Sequence, residues 1–107
     1  MPKLPKLTFA TGLVLQAIER GYRYGFDIMD ASGLPDGTVY PALRRLEAAG
    51  CLVSAWEDEA RARREKRPSR RYYEITAVGQ DVLATARERY RGLALAIPPT
   101  QARPEPA

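Results

Sequence analysis

Apolar positions recur at helical spacing in most of the chain and alternate in only two short stretches. That pattern predicts a mainly helical fold with one small antiparallel hairpin. Ala10, Leu13, Val14, Ala17 and Ile18 mark a first helix running from Thr8 or Thr11 to Arg20. A threonine serves as its N-cap, and Gly21 lies just past its end. Phe26, Ile28 and Met29 mark a short second helix closed by Ser32-Gly33, and Leu34-Pro-Asp-Gly37 is a turn cluster. Only a few residues therefore separate the second helix from the third, as a helix-turn-helix requires.

On a wheel of about 100° per residue, Val39, Leu43 and Leu46 of the third helix share one face, with Ala42 and Gly50 beside them. The outward face carries Gly37, Pro41, Arg44, Arg45 and Ala48, flanked by Thr38 and Tyr40. Such a face suits close approach to an anionic partner, and it equally suits plain solvation. Pro41 keeps the helix intact only if the helix begins near Thr38, placing the proline in the first turn. Gly50 closes the helix.

Cys51–Trp56 and Arg71–Ile75 are the strand segments, with Tyr73 and Ile75 on one face and Tyr72 and Glu74 on the other. Trp56 is expected to pack at the sheet edge rather than to hold a ligand. The long connection between the strands, acidic at Glu57-Asp-Glu59 and then basic, is expected to be mobile.

Thr76 can cap a last helix from Ala77 to Ile97, with Val78, Val82, Ala86, Tyr90, Leu93 and Ile97 in one stripe. A small body leaves the distal half of that stripe uncovered, so a second copy of the chain is its expected cover. Folding back on its own domain, or fraying after Gly92, is the alternative. The tail from Pro98 to Ala107, with four prolines, is expected to be disordered. The organisation is then 1–75 as a winged helix-turn-helix, 76–97 as a dimerisation helix and 98–107 as tail.

At 107 residues the chain has room for one domain. Charge sharpens the picture, because it is local. Between Arg61 and Arg71 lie seven basic residues and one acid, whereas the rest of the chain holds ten basic against twelve acidic residues. A basic hairpin tip directly after a helix, Asp36 to Gly50, is what a winged helix-turn-helix presents to a nucleic-acid backbone. There is no histidine, which removes the usual proton shuttle and every serine–histidine or cysteine–histidine arrangement. With a single cysteine, no metal site or disulfide framework is available either. No enzyme, cofactor or metal is expected. Cys51 reads as a small buried hydrophobe rather than a reactive thiol. No stretch approaches the roughly 18 apolar residues of a membrane span, and the charged N-terminus has no apolar run behind it. A cytoplasmic setting without a membrane partner is expected.

Gly37-Thr-Val-Tyr-Pro-Ala-Leu-Arg-Arg-Leu-Glu-Ala-Ala-Gly-Cys-Leu-Val53 resembles the third-helix run of the PadR family of bacterial transcriptional regulators. The resemblance continues at Trp56-Glu57, at Arg70-Arg-Tyr-Tyr-Glu-Ile-Thr76 with Gly79, and upstream at Tyr24-Gly-Phe-Asp-Ile28. It covers about residues 8 to 97. Tyr24 and Phe26 stand where the family more often has histidine and tyrosine. The chain lacks the extra helical domain of the family's longer branch and so resembles the short branch, in which one C-terminal helix makes a homodimer. Some short-branch members bind aromatic compounds at that interface through a tryptophan. The last helix here has only Tyr90, so any small-molecule inducer stays unknown.

The resemblance and the residues together imply a homodimeric repressor on an inverted repeat of double-stranded DNA, with half-sites about 34 Å apart. The expected DNA-binding residues are Thr38, Tyr40, Pro41, Arg44 and Arg45 on the helix, and Lys66, Arg67, Arg70 and Arg71 on the wing. Val82, Ala86, Tyr90, Leu93 and Ile97 are the expected dimer interface. An RNA- or ribosome-binding winged helix and a protein-interaction module are the competing readings.

Overall fold

The computed structural model describes residues 6–100, and everything below refers to them. The element order is α1 (Phe9–Glu19), α2 (Gly25–Ser32), α3 (Asp36–Ala48), β1 (Leu52–Trp56), α4 (Glu59–Arg64), β2 (Arg71–Ile75), α5 (Ala77–Arg89) and α6 (Leu93–Ala96). β1 and β2 form a two-stranded antiparallel sheet, in register from Leu52 opposite Ile75 to Trp56 opposite Arg71.

Local chemistry sets most of the boundaries. Thr8 caps α1 by accepting the Thr11 N–H at 3.1 Å. Gly33 ends α2 in the left-handed region at φ 74°. At the end of α3, Gly50 turns at φ 81° and the Cys51 N–H reaches the Leu46 carbonyl at 2.9 Å, which redirects the chain into β1. Thr76 serves two elements: its hydroxyl accepts the Gly79 N–H at 3.1 Å and donates to the Gly50 carbonyl at 2.6 Å. Gly79 itself is obligatory, because any Cβ there would run into the Cys51 backbone carbonyl just before β1.

Helix α1 is the axis of the core. Every residue from Thr11 to Ile18 is buried, since α2, α3, β2, α5 and α6 all pack on it. Its expected face of Leu13, Val14, Ala17 and Ile18 is buried, but Leu15 and Gln16 are buried as well. Cys51 is fully enclosed, and burial raises its thiol pKa.

Three expectations need correction. Helix α3 begins at Asp36 as expected, but Pro41 therefore lies in its second turn and not in the first. The bond that Pro41 cannot donate leaves the carbonyl of exposed Gly37 to solvent, which limits the cost. The connection between the strands is a defined segment built on α4, capped by Asp58 through the Ala60 N–H at 3.0 Å.

The third correction concerns the C-terminus. The helix is not continuous to Ile97. Tyr90 leaves helical geometry, Gly92 turns at φ 82°, and α6 folds back along α1. Leu93 and Ile97 are thereby fully buried in the core of the same chain, together with Ala86. A close approach at Gly12 admits them, since a Cβ at that position would stand 2.9 Å from a Leu93 methyl. The turn is held by polar groups of α1: Gln16 donates to the Leu93 carbonyl, and Arg20 donates to the Ala94 carbonyl at 2.8 Å. Arg87 in turn donates to the Gln16 side chain at 2.8 Å, satisfying a fully buried amide. Of the expected disordered tail, residues 98–100 are tied to the α1–α2 junction, with the Thr100 N–H on the Arg20 carbonyl at 3.0 Å. Residues 101–107 lie outside the described residues.

Candidate nucleic-acid interface

The outward face of α3 stands beside the ends of the two strands, and specific polar groups fix that relation. Ser54 of β1 donates to the Glu47 carboxylate at 2.6 Å, and Arg71 of β2 donates to the Ser54 hydroxyl at 2.8 Å and to Glu47 at 3.3 Å. The last turn of α3 is thereby tied to both strands of the wing. At the other end of α3, Tyr40 lies over the start of α2, so close to Gly25 that any side chain there would collide with its ring. The segment before α2 also joins the sheet: Tyr24 bridges Tyr72, and the Tyr73 N–H donates to the Arg23 carbonyl at 2.8 Å.

On this frame Arg44 and Arg45 are exposed, Thr38 and Pro41 are half-buried, and Tyr40 is 42% exposed. Neither Arg44 nor Arg45 forms an ion pair among the described residues. Between α2, α3 and the wing lies an open groove of about 480 Å³, whose rim includes Tyr40, Phe26, Trp56, Arg70 and Arg71. The Arg70 guanidinium sits 4.1 Å from the centre of the Tyr24 ring, and that of Arg71 sits 5.6 Å from the Trp56 ring. Trp56 is 66% exposed and Phe26 68%, so Trp56 does not pack into the sheet edge as expected. It alternates to the same side as Leu52, but at the strand end the core has already stopped.

The wing cations divide into two kinds. Lys66 is exposed and makes no ion pair among the described residues, Arg70 makes its ring contact without one, and Arg71 stays exposed while pairing with Glu47 at 3.3 Å. Arg67 is different. Its two terminal nitrogens meet the Glu57 carboxylate at 2.5 and 2.7 Å, and it also pairs with Glu65 at 3.0 Å. Its guanidinium is therefore engaged inside the protein. Two carboxylates share its charge, so it is less open to a partner than Lys66 or Arg70.

Glu57 is the residue that the sequence reading missed. It appeared there only in an acidic triplet and in the Trp56-Glu57 match, with no role of its own, yet its side chain is 3% exposed and is the polar hub of the wing. Besides Arg67 it accepts the Arg70 N–H at 3.2 Å and the Tyr72 hydroxyl at 3.3 Å, and Arg61 approaches at 3.7 Å. A carboxylate directly after a strand, ten residues before an arginine near the next strand, was the available signal.

The hydrogen bonds from Arg67, helped by Arg70 and Tyr72 and opposed by burial, pull the Glu57 carboxyl from 4.5 down to about 2. A carboxyl whose folded pKa is depressed adds stability that is complete above its unfolded value and is lost as pH falls through the folded one. The stability gap between wild type and Glu57→Gln is thus expected to shrink from about pH 4.5 down to about 2. Thermal melts across that window check it, and a gap that stays constant would contradict the assignment.

Among the described residues there is no cluster of histidine, cysteine or acidic side chains suited to a metal. No described helix is long and apolar enough to cross a membrane.

Comparison with known proteins gives a consistent answer. The model of the "Transcriptional regulator PadR-like family" matches residues 14–85. The fold is similar to a crystal structure of a PadR family transcription regulator from hypervirulent Clostridium difficile, at 26% identity and TM-score 0.67, covering 78% of this chain and 88% of that one. It is also similar to the protein smu.1704 of Streptococcus mutans, at 22% identity and TM-score 0.59, covering 81% of this chain and 82% of that one. At that identity the second likeness speaks for the fold alone. No curated protein matches the chain.

Proposed function

The chain belongs to the PadR-like family of transcriptional regulators, and from that premise we propose that it acts as a homodimeric repressor on double-stranded DNA in the cytoplasm. The observation that carries the reading is the outward face of α3, where exposed Arg44 and Arg45 without ion pairs adjoin Thr38 and Tyr40. In this reading α3 enters the major groove. Thr38, Tyr40 and Pro41 lie near base edges or phosphates, and the two arginines read guanine or follow the backbone. Lys66, Arg70 and Arg71 neutralise phosphates beside it, which adds affinity with little sequence information. Repression follows from covering the duplex.

For the homodimer, the buried positions Ala86, Leu93 and Ile97 are already used within the chain. The apolar groups left for a second copy are half-buried Val82 and Tyr90, Phe9 at 43% exposed, Val78 at 46% and Leu95 at 89%. Phe9 and Tyr90 meet edge to face with ring centres 5.7 Å apart, so they form one rigid unit on that side.

Selection of bound duplexes from a random pool tests the function. The expected product is an inverted repeat with half-site centres about one helical turn apart. Its affinity should fall with salt at a slope near −0.9 per neutralised phosphate. Failure to enrich any duplex, or binding that is flat with salt, would remove the reading.

A further inference from the structure

We propose that Glu57 is the positioning residue of the wing: it withdraws Arg67 from the cations open to phosphate and closes the neck of the hairpin so that Arg70 and Arg71 stand beside α3. The proposal rests on the DNA-binding reading above and deepens it. It assigns opposite roles to charges that are alike in the sequence.

Two independent features of the segment point the same way. At the neck, Glu57 and Arg70 are joined twice: the Glu57 N–H donates to the Arg70 carbonyl at 2.8 Å, and the Glu57 carboxylate accepts the Arg70 N–H at 3.2 Å. The second link needs a side-chain oxygen aimed inward, and the two-nitrogen grip of Arg67 on the charged carboxylate aims it. At the tip, α4 closes on Lys66, the one residue other than glycine in the left-handed region among those described, at φ 56°. A side chain in that region is held there only where its surroundings insist on it. Here the Lys66 N–H reaches the Arg63 carbonyl and the Arg67 N–H reaches the Ala62 carbonyl, both at 3.1 Å. This turn delivers the next residue, Arg67, onto Glu57. Backbone strain at Lys66 and ion pairing at Arg67 thus belong to one device. Without Glu57 the turn keeps its own two backbone hydrogen bonds but is no longer anchored to the sheet, and the chain from Asp58 to Ser69 is free to move relative to α3.

Charge counting and positioning make opposite forecasts, which makes the test decisive. Glu57→Gln removes a negative charge next to the wing, so simple electrostatics expects tighter DNA binding at fixed salt. The positioning role expects binding to weaken by about tenfold, the loss expected from one set of charge-assisted contacts. It also expects faster amide exchange over residues 58–70 in the protein without DNA. Arg67→Gln, which leaves Glu57 in place, should produce the same two effects. The double variant Glu57→Gln with Arg67→Gln should be no worse than the weaker single one, because both remove the same pair. Binding that tightens in Glu57→Gln, or wing exchange that stays unchanged, overturns the proposal. So does a salt slope that falls by about one on Arg67→Gln alone with additive losses, because Arg67 would then be a phosphate ligand. The exchange measurement needs no DNA. A wild-type protein that bound no duplex would end the functional reading, and exchange would still decide the role of Glu57.

Discussion

Leu93→Asp is expected to cost the chain most or all of its folding stability, whereas Leu95→Asp, two residues on, should leave it unchanged. Leu93 is fully buried between Gly12 and Ala86, while Leu95 is 89% exposed on the same short helix. Truncating a buried leucine to alanine costs about 2–5 kcal/mol through lost burial and the cavity left behind. Aspartate would put a carboxylate into the apolar core cluster, so the total approaches the roughly 5–15 kcal/mol that holds a domain of this size together. Denaturant melts of the two variants check this directly. The pair also separates folding from assembly. If Leu93→Asp stays folded and only halves the mass seen by light scattering, α6 covers a second chain rather than its own α1. If Leu95→Asp alone lowers the mass with stability intact, the exposed side of α6 lies in the homodimer.

That contrast also shows why the C-terminus misled a reading of the sequence. The stripe from Val78 to Ile97 is real at helical spacing, and nothing within those residues announces the break except Gly92. What bends the chain is tertiary: a bare Cβ position at Gly12 and an amide at Gln16, both in the first helix and more than seventy residues away. Periodicity reports which residues want cover and is silent on what provides it. The elements whose signals are local were legible. Thr8, Gly33, Gly50 and, in its capping role, Thr76 each act within a few residues of themselves, and each stands where its chemistry suggested.

The wing was half legible for a related reason. Seven basic residues in a row of eleven establish a cationic segment whatever its shape. Which of them remain open to a partner depends on which carboxylates the hairpin brings within reach. Glu57 and Arg67 meet only because β1 and β2 pair in one register, with Trp56 opposite Arg71. Counting charges along the chain therefore overstated the basic surface by a strong ion pair, and it hid the residue that organises the rest.

Reversing both arginines of α3, Arg44→Glu with Arg45→Glu, is expected to abolish duplex binding, with at least about a hundredfold loss at moderate salt. Folding should survive, because both side chains are exposed and neither has an ion pair among the described residues. Their neighbours Leu43 and Leu46, which carry the burial of α3, are untouched. The change also brings two carboxylates to the face that Glu47 borders, so the α3 surface becomes anionic while the wing keeps Lys66, Arg70 and Arg71. Single alanine variants then resolve what each arginine does. An arginine on phosphate should weaken binding evenly across sequences and lower the salt slope by about one. An arginine on guanine should instead relax the preference at one base pair of the selected site, by about tenfold or more, with little change in slope. Retained binding in the double charge reversal would mean that α3 does not face the duplex, and the wing alone would then have to account for any affinity.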